Sequence, residues 1–233
     1  MARYHDQALV LKTNPYRDTS LLVSLLTREH GRLTAIQQGV RGKSKKQPMA
    51  PFQVVELGLV GRSSLLTVSQ VDISHRIELS PELLPSGFYV LELISRATHE
   101  GAVEQGIFPA AVSCLTSLAS DRFALRRFER CLLDELGYGL DFVEADSGEL
   151  LDPKMQYQYV AEAGFLPAKG EGTLGSVLAK IAAEHYEARG IAGAARKLYQ
   201  TALIPLIGPE PLVSRSLLQP ESPSGSSQQP GEQ

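Results

Sequence analysis

An α+β chain of more than one domain is predicted from these 233 residues: an N-terminal five-stranded β-barrel of the OB type, then a mainly α-helical domain carrying a small β-hairpin. Five short apolar segments with a period near two fall within residues 1–79, separated by turn-forming residues. At Leu79-Ser80-Pro81-Glu82-Leu83-Leu84-Pro85-Ser86 two prolines interrupt that pattern, and beyond them the apolar period becomes helical. The sign of the charge changes at the same point: residues 1–79 carry a net +5 and residues 80–233 a net -8, for a total of -3.

The strands are expected at His5 to Thr13, Thr19 to Thr27, Gly31 to Gln38, Phe52 to Val60 and Ser64 to Ile73. Asn14-Pro15, His30-Gly31, the segment around Gly42 and Gly61-Arg62-Ser63-Ser64 are the breakers between them. Five strands in so short a span suit a closed barrel, which hides its sheet edges, although a small sandwich or an SH3-like barrel fits the same spacing. The helical domain is expected over residues 80–218. Tyr89, Val90, Leu93, Ile94 and Ala97 share one helical face; Phe108, Ala111, Val112, Leu115 and Leu118 share the next. Asp121 to Leu136 is the best-formed helix, with Asp121 in its first turn and Gly137 as a left-handed stop. A hairpin insertion is expected near residues 155–167, from Tyr157-Gln158-Tyr159-Val160, a turn at Ala163-Gly164, and Phe165-Leu166-Pro167. Helices at Thr173 to Ala188 and Ile191 to Leu203 follow, the second closed by Pro205. The Pro/Ser/Gln/Gly tail, residues 219–233, is expected to be disordered because it has nothing to bury.

Several function classes lose support at this stage. With 43% apolar residues the chain has material for real cores, yet no apolar run nears the ~18 residues of a membrane span, and a cytoplasmic location is expected. Cys114 and Cys131 match neither a disulfide framework nor a zinc spacing, so buried free thiols and no metal are expected. His5, His30, His75, His99 and His185 are scattered without a metalloprotease or deaminase spacing, and no nucleophile elbow is present, which argues against an enzyme. Gly170-Glu171-Gly172-Thr173-Leu174-Gly175 does match the dinucleotide fingerprint in letters. It lacks a buried strand before it and any βαβ alternation, and Glu171 would face the pyrophosphate, so a loop with Thr173 as helix cap is expected, with no cofactor.

Two clusters of cations remain. Arg41, Lys43, Lys45 and Lys46 fall within six residues, on a Gly/Ser/Pro-containing stretch that suits an irregular polyanion; Lys12, Arg17 and Arg32 are candidates to extend it. A solvated loop accounts for the same letters. Tyr4, Tyr16 and Phe52 are the few aromatics available for base stacking and there is no Trp, so any nucleic-acid binding is expected to be sequence-blind and salt-sensitive. On the third helix Arg122, Arg126 and Arg130 recur every four residues, with Arg127 beside them, around Leu125, Phe128 and Leu132. Local pairing of Arg126 with Glu129 and of Arg130 with Asp134 is one reading; a receptor for an acidic peptide with an apolar end is the other.

Ala124-Leu125-Arg126-Arg127-Phe128-Glu129, continuing to Leu136-Gly137-Tyr138-Gly139-Leu140-Asp141-Phe142, resembles the central helix and following turn of the RecO family of bacterial recombination mediators. Tyr16-Arg17-Asp18-Thr19-Ser20-Leu21-Leu22, Gly31-Arg32-Leu33 and Gly39-Val40-Arg41 look like that family's start, and Gly208-Pro209-Glu210-Pro211-Leu212-Val213-Ser214-Arg215 like its C-terminal signature. The resemblance implies a mediator of the RecF pathway that binds single- and double-stranded DNA, anneals strands, and works with RecR to load RecA onto DNA coated by SSB. SSB ends in an acidic, Phe-terminated tail, for which the resemblance makes Leu125, Arg126, Arg127, Phe128, Arg130 and Leu132 candidates. Many members carry a four-cysteine zinc module between the central helices; this chain has no cysteine after Gly137. An interaction adaptor that does not itself bind DNA is the alternative.

Overall fold

The run Ala8-Leu9-Val10-Leu11 has no polar face because its strand has no solvent face: Ala8 and Val10 line the inside of a barrel, while Leu9 and Leu11 join the core of the helical half. A computed structural model describes residues 2–40, 46–61 and 65–216. In it strands β1 (Ala2–Tyr16), β2 (Ser20–Thr27), β3 (Gly31–Gln37), β4 (Gln53–Gly61) and β5 (Leu66–Arg76) close a barrel in the order β1-β2-β3-β5-β4, with β4 pairing back onto β1. Ladders are antiparallel except for β3 and β5, which run parallel and meet only at Ala35↔Leu66 and Ile36↔Thr67. This is the five-stranded connectivity of an OB barrel. Its interior is filled by Ala8, Val10, Leu21, Val23, Leu25, Ala35, Met49, Val55, Leu57, Leu59 and Leu66.

Strand β1 runs through Asn14 and Pro15, where the sequence reading had it stop. Pro15 falls opposite Leu21, one pair from the end of the ladder, where a missing N–H disturbs little.

The barrel and the helices share one core. Leu9, Leu11, Leu26, Phe52, Val54 and Ile77 from the barrel's outer surface pack with residues of α1 (Leu84–Ala97), α2 (Ile107–Ser117) and α3 (Ala124–Glu135). The junction is also a backbone contact. Gly31 has φ +68°, and a Cβ there would meet the carbonyl oxygen of Ala102 at 1.8 Å, so only glycine fits. Next to it the Arg32 carbonyl accepts the Gly101 N–H at 2.9 Å.

Pro85 sits in the first turn of α1, where its missing N–H has no intrahelical partner to lose, and Gly137 (φ +79°) follows α3 as a left-handed stop. Asp121 precedes α3 rather than lying in its first turn, accepting the Phe123 N–H at 2.8 Å. A three-stranded sheet, β7-β6-β8, comes next, from β6 (Gln156–Val160), β7 (Gly164–Pro167) and β8 (Thr173–Leu174). Thr173 is therefore a strand residue opposite Tyr157, not a helix cap. Helix α4 (Gly175–Ala182) ends earlier than the expected Ala188, because Glu184 takes a left-handed φ of 56° and the chain turns to bury Tyr186. Helix α5 (Ile191–Ala202) precedes α6 (Ile204–Ile207), in whose first turn Pro205 lies, and α7 (Val213–Ser216). The tail at residues 219–233 lies outside the described residues.

The C-terminal motif is held by α1. Glu92 accepts the N–H groups of Val213 and Ser214 at 2.9 Å each and the Ser214 hydroxyl at 2.7 Å, while Arg96 donates to the carbonyls of Glu210 at 2.8 Å and Pro211 at 3.1 Å. Leu212 is buried between these clamps.

Candidate functional site

On the barrel, one of the candidate cations stands where β1 turns into β2. Arg17 stands in the turn after β1 at φ 50°, its guanidinium 5.2 Å from the Tyr16 ring centroid. The Val40 N–H donates to Thr19 O at 2.9 Å, so the chain enters the cationic segment beside that turn. Arg41, Lys43 and Lys45 lie outside the described residues; Lys46, which follows them, is exposed. Lys46 leads into Gln47 and Met49, which the buried Gln37 side chain holds through its Nε2 on Gln47 O and its Oε1 on the Met49 N–H, both at 2.9 Å. Lys12 is exposed at a register shift in β1.

Arg32 corrects the expectation for this surface. Its guanidinium donates to Thr98 O at 3.2 and 2.9 Å and lies 3.7 Å from Glu100, so it fastens the barrel to the helices instead of facing solvent. The aromatics are similarly engaged. Phe52 is buried against Phe88 (ring centroids 5.0 Å apart) and Tyr4 packs edge-on to His30, leaving half-buried Tyr16 as the aromatic of this rim.

The arginine stripe divides in three. Phe128 and Leu132 are 2% and 0% exposed, core residues that no ligand can touch from outside, contrary to the expected greasy rim. Arg127 and Arg130 turn toward the loop after α4: Arg127 pairs with Asp121 and, at 3.2 Å, with Glu184, while Arg130 donates to Ala182 O at 2.7 Å and reaches Glu184 at 3.5 Å and Asp134 at 3.8 Å. These two therefore fix the α3–α4 packing rather than a ligand. Leu125 and Arg126 face elsewhere, into a cavity of about 620 Å³ between α1, α3 and the start of α5.

Four guanidinium groups line that cavity: Arg122, Arg126, Arg189 and Arg196, with Glu187 as the carboxylate among its walls. Phe123, Leu125, Ala188 and Ala192 supply apolar surface. Arg122 lies over the Phe123 ring at 4.6 Å, and Phe123 leans on Tyr186 at 5.8 Å. Arg126, 7% exposed, forms the floor. Its Nη1 is 2.8 Å from Glu129 Oε2, and Glu129, fully buried, takes the Tyr89 hydroxyl on its other oxygen at 2.6 Å. One guanidinium is thus held rigidly while three exposed ones surround it, an arrangement suited to carboxylates. Sequence reasoning missed Arg189 and Arg196: Arg189 precedes Gly190, whose left-handed φ of 81° leads into α5, and Arg196 lies within that helix, so no single helical period joins them.

The family model for the recombination protein O N terminal matches residues 1–76, and that for its C terminal matches residues 80–170. This chain belongs to the RecO family. The DNA repair protein RecO of Mannheimia succiniciproducens is 38% identical over 219 residues, covering 89% of this chain and 96% of that one. The RecO of Haemophilus influenzae is 38% identical over 222 residues (91% and 94%), and that of Vibrio cholerae 34% over 222 residues (91% and 92%). Membership in RecO carries a role in DNA repair and recombination, and the OB barrel followed by helices is the fold in which this chain exercises it. Among the described residues no helix is long and apolar enough to cross a membrane, and no group of three or more His, Cys, Asp or Glu is arranged to hold a metal ion.

Proposed function

We propose that the chain is a non-enzymatic recombination mediator of the RecF pathway, acting in the cytoplasm at the nucleoid. The barrel binds single- and double-stranded DNA through its phosphates, without reading sequence, using Lys12, Arg17, Arg41, Lys43, Lys45 and Lys46. The helical domain takes the acidic tail of SSB into the arginine cavity through Arg122, Arg126, Arg189, Arg196 and Leu125. Held at coated single strands in this way, the protein brings complementary strands together for annealing and, with RecR, helps RecA replace SSB.

The observation that carries the reading is the cavity in which four guanidiniums lie beside apolar walls, within residues 80–233 of net charge -8. An acidic peptide with an aromatic end satisfies both of its chemistries at once, as carboxylates meet Arg forks and the ring meets Phe123 and Leu125. The test is fluorescence anisotropy of three labelled ligands against the full chain: a 20-mer single strand, its duplex, and an acidic peptide ending in Asp-Phe. All three are expected to bind, and the peptide is expected not to compete with DNA. Absence of oligonucleotide binding at low salt, with peptide binding intact, would favour the adaptor reading instead.

A further inference from the structure

The barrel has an opening that the proposed rim does not use. Strand β5 is paired with β4 along its length, but on its other side it meets β3 only as far as Thr67. From Val68 to Arg76 that side has no strand partner among the described residues, and it forms one wall of a cleft of about 830 Å³. The facing wall is the end of β3 and the segment after the cationic stretch: Gln37, Gln38, Lys46, Gln47 and Met49. The lining is mixed: Met49, Val68, Val71 and Ile73 stand among polar side chains, with Lys46, Arg76 and the His75 imidazole against one carboxylate, Asp72, which accepts from Gln70 Nε2 at 2.9 Å.

We propose that this cleft, between the open edge of β5 and the wall formed by Gln37, Gln38, Lys46, Gln47 and Met49, is the track of a single nucleic-acid strand. The idea rests on the DNA-binding reading above and adds to it where the strand runs. Lys46, His75 and Arg76 meet phosphates, and the amide and hydroxyl groups of Gln38, Gln47 and Ser74 meet sugars and base edges. A cleft walled on two sides suits one strand, whereas a duplex would rest on its rim.

Two features favour this path. Oligonucleotides on OB barrels commonly use the outer face of the second and third strands. Here Leu26 of β2 is buried in the helical core, Arg32 is bonded to Thr98, and the Thr34 hydroxyl to Glu100, so part of that face is covered. An open strand edge also invites a peptide to add as another strand. Register shifts at Val54/Val55 and Gly58/Leu59 bend the β4–β5 ladder, however, and such bulges twist an edge away from straight pairing, while cations at its end discourage it. No aromatic ring other than His75 lines the walls, which fits binding that ignores base identity.

The test uses the full chain at about 0.15 M salt, where screening confines charge effects to near neighbours. Gln38→Glu with Ser74→Glu puts a carboxylate on each wall at exposed positions. Single-strand affinity is expected to fall about tenfold, and duplex affinity by no more than about threefold. Equal losses for both ligands, or none, would overturn the track while leaving DNA binding itself intact; an unaltered chain that binds neither oligonucleotide would overturn the DNA reading and the track together. A second measurement locates the ligand. Ser74→Cys carrying a photocrosslinker, in a chain whose partly exposed Cys131 is changed to Ser, is expected to capture a dT 20-mer; Cys114 is buried, its thiol pushed up to about 12 by that burial. Preferential capture of an alternating Thr-Val decapeptide supplied in equal amount would assign the cleft to strand addition and count against the proposal.

Discussion

In the barrel, Lys12 stands exposed at a strand register shift and Arg17 in a tight turn with its guanidinium over the Tyr16 ring, whereas in the helical half Arg126, Arg127 and Arg130 are tied to Glu129, Asp121, Glu184 and Asp134. The same residue type thus does two jobs. An exposed cation can neutralise a phosphate at little cost in desolvation, while one that closes an ion pair inside a helical packing interface holds the scaffold. Arg126 belongs to both classes, since it is buried and paired yet forms the floor of the cavity. Arg32 is the barrel's exception, a cation assigned to the domain junction.

The contrast breaks most visibly at Arg126. Arg126→Ala leaves the fully buried Glu129 carboxylate without its cation and is expected to cost about 3–5 kcal/mol in urea unfolding. Adding Glu129→Gln should recover a large part of this. Arg127→Ala, half-exposed at its end of the network, should cost about 1 kcal/mol or less. Were the two single variants to cost the same, the division into scaffold and surface arginines would fail. For this reason Arg126→Ala is a poor probe of peptide binding, and the exposed arginines of the cavity are the better one.

The barrel side is sharpened by salt. Changing Arg41, Lys43, Lys45 and Lys46 together to Ala is expected to reduce the slope of log K against log salt for duplex binding by about 3 to 4, as each contacted phosphate contributes about 0.9. An unchanged slope would place the duplex elsewhere. On the helical side, Arg122→Ala with Arg196→Ala should weaken the acidic peptide about tenfold or more and leave duplex affinity as it was, because charge-assisted bonds are lost only in the cavity. A parallel loss of DNA binding would merge the two sites into one.

How much of this was legible in the letters follows from the same contrast. The barrel was readable because strand periodicity and turn residues are local, and the uninterrupted run Ala8 to Leu11 reported a strand covered on both faces. The i,i+3 pairing of Arg126 with Glu129 was equally local and was one of two readings open from sequence. What the sequence could not say was which face of α3 is inside, so Phe128 and Leu132 read as a ligand surface when they are core. Nor could it join Arg189 and Arg196 to Arg122, since their convergence depends on how α5 packs against α3. Strand β8, two residues long, has no period to detect, which is how Thr173 came to read as a helix cap.

A third way of holding charge gives the smallest effect. Glu92 and Arg96, four residues apart on α1 and 3.0 Å from each other, grip the segment from Glu210 to Ser214. Burial acts to raise the Glu92 carboxyl, but the Ser214 N–H and hydroxyl, the Val213 N–H and the Arg96 charge outweigh it, and the group titrates below its ordinary 4.5. A carboxyl with a depressed folded value contributes its stabilisation above the unfolded value and loses it as pH falls through the folded one. The amide signals of Val213 and Ser214 should therefore hold their positions from neutral pH down past 4.5 and shift only below it, and Glu92→Gln should remove that pH response while loosening the segment at every pH. A midpoint above 4.5 would mean that desolvation wins over the four donors, leaving the clamp to Arg96 alone.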